Sequence, residues 1–460
     1  MSEASKPAAA PGRPKQGRRP RGGVDGVPAG RGAVTYHFRP INVGRWGVWG
    51  GYGLVLLAAP LVFSSSLSQT LLSQMGIAII ACLAYNMLLG QGGMLSFGHA
   101  VYSGLGGFLA IHALNKVGDG SLHLPVSLVP LVGGLSGLFF AALFGFVTTR
   151  KSGTTFAMIT LGIGELVYSM SLMLPEFFGG EAGVSSNRVV QPATLGITFG
   201  PQIQVYYLIA IYCFICTGLM FAFTRTPLGR MLNAVRDNPE RVAFVGYDTQ
   251  RVRWLAFMIS GFFAGIAGGL AAINFELATA EVVGAQRSGA YLLFTFLGGS
   301  TAFFGPIIGG VLMVLATVVL SELTKAWLLY LGLAFMLMVM YAPAGVAGLI
   351  LANLRLSAFG KLRPLWRSYL ALFAGGAIAF LGASAMVEML YHLQLNEALG
   401  PVMTFCGIRL NAKSPLVWLS ALTVLTSGGL AFEVARRQFV VRWNATQDEI
   451  ERELRRREAA

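Results

Sequence analysis

The chain has 460 residues, 55% of them hydrophobic and only 12% charged, and its formal net charge is +14. A water-soluble domain carries about 25% charged residues, so this composition excludes an ordinary soluble enzyme and makes the bilayer the natural solvent. The basic residues cluster outside the apolar runs, which fits cytoplasmic loops beside anionic lipid better than a nucleic-acid-reading surface.

The first 45 residues hold Lys6, Arg13, Lys15, Arg18, Arg19, Arg21, Arg31, Arg39 and Arg45 among Pro, Gly and Ala. No apolar region follows the first basic residues closely, so the segment reads as a disordered basic tail and not as a cleavable signal. A helix needs about 20 mostly apolar residues to cross the hydrocarbon core. Runs that approach this lie at 48–64, 70–90, 97–114, 125–148, 155–175, 204–224, 254–273, 288–302, 304–321, 326–342, 367–388 and 415–433. The predicted fold class is therefore all-α and polytopic. The stretch 288–321 is broken by Gly298, Gly299, Gly305 and Pro306 and reads as two segments, the first short. With twelve crossings, the tail, Arg150 and Lys151, the loop 225–253, the loop 355–367 with Arg363, and Arg436 onward all fall on one side. That is the pattern of cytoplasmic loops, with both termini inside.

Three segments carry candidate function. Gly90-Gln91-Gly92-Gly93 through Ser96-Phe97-Gly98-His99 interrupts an apolar stretch with polar and flexible residues. Transporters use such broken helices near their solute sites. Gln91, Ser96 and His99 are therefore candidates for a substrate pathway. The next span, from Thr154, carries Glu165 near its middle. An intramembrane carboxylate faces a cavity or a partner, and His99 or a hydroxyl is its expected partner if its role is to lock two helices. The loop from Thr226 to Asp248 is long for a helix connection. Pro227 can start a short helix and Gly246 can end one. Its apolar Met231, Leu232, Ala234 and Val235 alternate with charges, as in a helix that docks in a groove on a soluble partner.

Other signals are bland. Cys213-x-x-Cys216 lies inside an apolar run with no second pair, and reads, like Cys82 and Cys406, as small side chains rather than a metal or redox site. Gly134-Leu-Ser136-Gly137 is a short serine motif expected by chance among 59 Gly, and small residues serve helix packing. Gly92-Gly93 to Gly98 is weakly echoed by Gly298-Gly299 to Gly305. No phosphate-binding G-x-x-x-x-G-K-[ST] loop is present. Beyond residue 433 the chain is highly charged, with acid-to-base pairs Asp448–Arg452, Glu451–Arg455 and Glu453–Arg457 at helical spacing.

The segments Gly90-Gln91 with Leu95 to Ala100, Phe156 to Glu165, Thr226-Pro227-Leu228-Gly229-Arg230 with Ala234, Arg236-Asp237-Asn238 and Ala243 to Gly246, and Leu297-Gly298-Gly299 through Tyr341-Ala342-Pro343-Ala344-Gly345, taken in this order, resemble the longer permease type of the branched-chain amino acid ABC importers. The resemblance spans about 68–350 and implies about ten family-like transmembrane helices, with two extra C-terminal ones. It implies a bacterial inner-membrane protein with no cofactor and no catalysis of its own, ATP and Mg being bound by partner ABC ATPase subunits. A second related permease chain and a periplasmic solute-binding protein would complete the assembly. Thr226, Pro227, Gly229, Arg230, Ala234, Arg236, Asp237, Asn238, Glu240, Ala243 and Gly246 would form the coupling loop to the ATPase. The implied divisions are a basic tail 1–45, a permease domain 46–350, a two-helix membrane extension 351–433 and a charged helical tail 434–460. Urea or short amides are alternative solutes. The alternative mechanism is an ATP-independent secondary transporter or channel using Glu165.

Overall fold

The computed structural model describes residues 43–189, 198–361, 365–395, 400–405 and 407–459. Residues 1–42 of the basic tail, Arg363 and Cys406 lie outside the described residues. The chain divides between Gly51 and Tyr52, inside the first helix, α1 (Val43–Val62), and all the elements after that helix belong to the unit Tyr52–Ala460.

The second unit is built from helices α2 (Ser66–Asn86), α3 (Ala100–Gly118), α4 (Val129–Thr148), α5 (Thr154–Met173), a short α6 (Pro175–Phe178), α7 (Gln202–Arg225), α8 (Pro227–Asp237) and α9 (Pro239–Phe244). After these come α10 (Thr249–Phe275), α11 (Ala285–Gly298), α12 (Gly305–Val314), a single turn α13 (Ser321–Leu323), α14 (Trp327–Tyr341), α15 (Gly345–Ala358), α16 (Trp366–Leu395) and α17 (Pro415–Ala459). Two small antiparallel pairs join loops: β1 (Val184–Ser185) with β2 (Leu277–Ala278), and β3 (Val402–Phe405) with β4 (Ile408–Asn411).

Each of the twelve apolar runs carries a helix, and the chain is an all-α polytopic membrane protein. Among the described residues, 8 helical stretches are long and apolar enough to cross a bilayer, and α14 with α15 forms an apolar pair bent by 47°, the geometry of a broken span or a re-entrant loop. The bend follows from Pro343, which cannot continue a helix, and from Gly345, whose φ of 68° favours a residue without Cβ. The stretch 288–321 does divide in two. Its first part, α11, has only 14 residues, about 21 Å of helix against a hydrocarbon core of about 30 Å.

α10 is the central helix, packed on α2, α3 and α4. Small residues make this possible. A Cβ on Gly265 would meet the carbonyl of Gly133, and one on Gly268 would meet that of Ser103. Backbones this close gain dispersion contacts that larger side chains would prevent. Gly134 and Gly137 pack against α10, and the Ser136 hydroxyl donates to the Leu105 carbonyl at 3.2 Å. The short serine motif is thus a packing feature.

α16 and α17 pack along each other, and β3 and β4 close their far end. This hairpin is tied to the preceding chain at both ends. Glu388 accepts hydrogen bonds from Thr324 and, at 3.3 Å, from Tyr330. Lys361 pairs with Glu449 at 2.7 Å, and the Tyr369 hydroxyl donates to Asn353 at 2.8 Å. α17 runs unbroken for 45 residues, so the last apolar run and the charged segment after it share one helix. Within it Glu451 and Arg455 form their expected pair at 4.0 Å.

Candidate functional site

α2 does not end cleanly. Its last turn widens into a π-helical turn, Met87–Gln91, and the chain then runs without regular structure until α3 starts at Ala100. Gly93, with φ of 62°, makes the reversal. A break at this depth needs its backbone groups satisfied by protein. Three neighbouring helices supply the partners. The Tyr85 hydroxyl in α2 donates to the Ser96 carbonyl at 3.0 Å, the Phe97 N–H donates to Thr160 Oγ1 in α5 at 3.1 Å, and the Ala100 N–H donates to Ser288 Oγ in α11 at 3.0 Å. Gly98 lies against the carbonyl of Thr160.

The side chains of the break are less well satisfied than its backbone. His99 is fully buried between the rings of Tyr85 and Tyr102, at 5.3 and 6.0 Å between centroids. Both its nitrogens, Ser96 Oγ, Gln91 Oε1 and Asn86 Oδ1 are buried without a hydrogen-bond partner. An unpaired buried polar group costs about 1–3 kcal/mol. Such a concentration in one segment stands out, because buried polar groups are normally hydrogen-bonded. Gln91 ends the π-helical turn, and Ser96 and His99 are brought together around Tyr85. Glu165 is not. It is exposed on α5 and has no hydrogen bond or ion pair among the described residues, so the expected contact with His99 does not form. Helical phase explains this. Thr160, Gly164, Val167 and Ser171 face inward, and Glu165 points about 100° away from Gly164.

The coupling-loop candidates fold as two helices, not the one that Pro227 and Gly246 would bracket. Thr226 caps α8, its Oγ1 accepting from the Gly229 N–H at 3.2 Å, and Pro227 occupies the first turn. Asn238 precedes Pro239, which forces it into extended backbone. There the chain breaks, and Asn238 caps α9 by accepting from the Arg241 N–H at 2.9 Å. Gly229 sits against the backbone of Phe223 and Thr224, where a side chain would collide.

Leu232 and Val235, expected to face a partner, are buried against their own chain. Leu232 lies over Gly92, the aliphatic part of Arg236 covers Gly93, and the Arg236 guanidinium donates to the Gly90 carbonyl and to Asp237 at 3.0 Å. Arg230, Ala234, Asp237, Glu240 and Ala243 are exposed. The exposed apolar residues come later: Phe244 is 89% exposed, Val245 71% and Tyr247 51%. They flank Gly246, whose φ of 96° ends the motif. The anchors Tyr85, Thr160 and Ser288 were missed in the sequence, where isolated hydroxyls inside apolar runs were the available signal.

The echo between the two Gly-rich segments has a spatial counterpart. A Cβ on Gly90 would meet the carbonyl of Ser300, in the turn between α11 and α12. The break after α2, the break after α11 and the helix α8 therefore converge.

Known proteins share this chain's pattern. Residues 67–344 match the family described as branched-chain amino acid transport system / permease component. The chain is 28% identical over 310 residues to the high-affinity branched-chain amino acid transport system permease protein LivM of Salmonella typhimurium, covering 61% of this chain and 70% of that protein. It is 26% identical over 304 residues to LivM of Escherichia coli, with 61% and 70% covered. A probable branched-chain amino acid transport permease protein LivH of Methanocaldococcus jannaschii is 25% identical over 266 residues, 55% of this chain and 82% of that one. No solved structure matches the chain. The family match takes in more than half of the sequence and both converging breaks, and the chain belongs to the branched-chain amino acid transport permease family.

Proposed function

We propose that this chain is the permease subunit of an ATP-driven importer for branched-chain amino acids, working with ABC ATPase subunits, a second related permease chain and a periplasmic solute-binding protein. It lies in the bacterial inner membrane with α8, α9 and both termini on the cytoplasmic side. ATP and Mg belong to the partner ATPase, and this chain catalyses nothing. The observation that carries the reading is the division of labour within α8 and α9. One end is fixed to the broken segment through Arg236 and Gly90, and the other presents Phe244, Val245 and Tyr247 to solvent. A loop anchored to a membrane-depth break and apolar at its free end suits a soluble partner that pulls on the break. The exposed Glu165 supports the second permease chain, because a mid-span carboxylate on a lipid-facing surface is costly and a partner chain would cover it. The permease domain 46–350 does the moving in this reading, and 351–433 and 434–460 are additions to it.

The test is to extract the tagged chain from native membranes in mild detergent and identify what accompanies it. The expected companion is a P-loop ATPase, lost when Phe244, Val245 and Tyr247 are replaced together by Ser. Recovery of the chain alone across several detergents, with uptake that follows an ion gradient, would overturn the reading in favour of a secondary transporter.

A further inference from the structure

Between β2 and α11 the chain descends from the rim of the molecule into its interior. At the rim, Asn115 of α3 donates to the carbonyl of Ser185 in β1, which pairs with β2. Val283 then lies against Gly104 of the same helix α3. Eleven residues of helix separate Gly104 from Asn115, about 16 Å of rise. α11 begins at this depth, and Arg287 stands in its first turn, again eleven residues, about 16 Å, from Gly298 at the α8 end. Arg287 is thus close to mid-membrane, where a guanidinium must face a cavity or a counter-charge. Among the described residues no carboxylate forms an ion pair with it.

It does face a cavity, of about 710 Å³, to which Glu281 also contributes. The two charges share that space without forming an ion pair. The remaining wall is mostly apolar, with Leu293 of α11 and Leu328 and Leu331 of α14, and Thr279, Gln286 and Thr317 are its neutral polar members. Gly289 leaves room beside them, since a Cβ there would meet nothing. A cationic group, an anionic group and a branched aliphatic wall around a space in the usual range for small-ligand sites form a negative of one chemical class.

We propose that this cavity is a transit site for an apolar zwitterionic amino acid, with its carboxylate on Arg287, its ammonium on Glu281 and its side chain against Leu293, Leu328 and Leu331. The inference rests on the importer reading above and assigns that reading a solute site away from Gln91, Ser96 and His99. Arg287 also lies over the ring of Tyr291, 5.8 Å from its centroid, but neither it nor Glu281 has an ion-pair partner among the described residues, and a zwitterion bridges the two charges as a neutral solute such as urea cannot. A phospholipid headgroup has similar charges, but headgroups lie at the interface and not about 16 Å beneath the rim.

The experiment uses the chain with its co-extracted partners, reconstituted in liposomes for uptake and kept in detergent for binding of tritiated L-leucine. Two variants are made: Arg287→Gln, which removes the anion partner, and Leu331→Trp, which fills the cavity and keeps both charges. Both are expected to weaken leucine binding roughly tenfold or more, as loss of a charge-assisted contact or of the space itself would. Leucinamide, lacking the carboxylate, and 4-methylpentanoate, lacking the ammonium, are expected not to displace leucine from the wild type. If Arg287→Gln fails to insert, Leu331→Trp carries the test. Wild-type leucine binding in Leu331→Trp would overturn the site. So would a phospholipid that accompanies the wild type but not Arg287→Gln, with leucine uptake equal in both. Leucine uptake that survives deletion of the whole chain would overturn the importer reading instead.

Discussion

Arg236 in α8 and Gly90 in the π-helical turn are 146 residues apart in sequence and joined by a hydrogen bond from the guanidinium to the carbonyl. The bond is charge-assisted, the stronger class of such contacts. It gives α8 a direct hold on the segment that carries His99.

Removing that hold should separate partner binding from transport. Arg236→Ala is expected to keep membrane insertion and ATPase recovery, because Phe244, Val245 and Tyr247 remain in place. Leucine uptake is expected to fall about tenfold, the scale of a lost charge-assisted hydrogen bond. Uptake in proteoliposomes, measured beside co-purification, separates the two effects. Equal uptake in variant and wild type would show that the contact transmits nothing.

The backbone approach of α10 to α3 should tolerate no side chain. Gly268→Val is expected to lower the thermal unfolding midpoint sharply or to prevent accumulation in the membrane, since its Cβ would overlap the Ser103 carbonyl. Overpacking of this kind costs about 1–3 kcal/mol or more. Gly162→Ala is the control, because a Cβ there meets nothing. Unfolding followed by size-exclusion chromatography after heating distinguishes them.

Ser288→Ala should strand the Ala100 N–H in a buried place, at a cost of about 1–3 kcal/mol. Ser288→Thr keeps the hydroxyl and is expected to recover much of that loss. Thermal unfolding in detergent reads the pair. An unchanged midpoint in Ser288→Ala would mean that another group satisfies this N–H.

The two ties of the C-terminal hairpin should differ in worth. Lys361→Ala removes an exposed pair and is expected to change stability by about 0–1 kcal/mol. Glu388→Ala strands the half-buried hydroxyls of Thr324 and Tyr330 and is expected to loosen α16 from α14. Limited proteolysis between residues 343 and 366 should then speed up in Glu388→Ala and not in Lys361→Ala.

Glu165→Gln addresses the mechanism. With no hydrogen bond or ion pair among the described residues, Glu165 is expected to contribute little to the stability of the isolated subunit. In an ATP-driven assembly, uptake by wild type or variant should survive a protonophore while ATP is maintained. Collapse of wild-type uptake under that treatment would favour the proton-coupled alternative.

The helices were legible because spans crossing lipid must be long and apolar, and α2, α4, α7 and α10 follow that rule without exception. The break from Gly90 to His99 was legible for the converse reason: Gln91, Ser96 and His99 fall among four Gly in ten residues, a run too polar and too flexible for one continuous span. What the pattern could not carry was phase. Glu165 and Thr160 share one span, but only the helical angle decides that Thr160 holds the break and Glu165 faces away. The loop after Thr226 failed for another reason. Leu232 and Val235 look like a docking face in one dimension, and only their packing over Gly92 shows that the chain uses them itself. Arg287 lay just outside a run counted as apolar, so its depth emerged only when Val283 was found against Gly104.

α17 has 45 residues, about 67 Å of continuous rod at 1.5 Å per residue. A bilayer core absorbs about 30 Å of it. Close to 35 Å then extends beyond the core, stayed about 15 Å from its tip by Lys361 at Glu449. In the proposed orientation that rod stands in the same aqueous layer as α8 and α9. A proposed partner ATPase bound at Phe244 would share that layer with the rod.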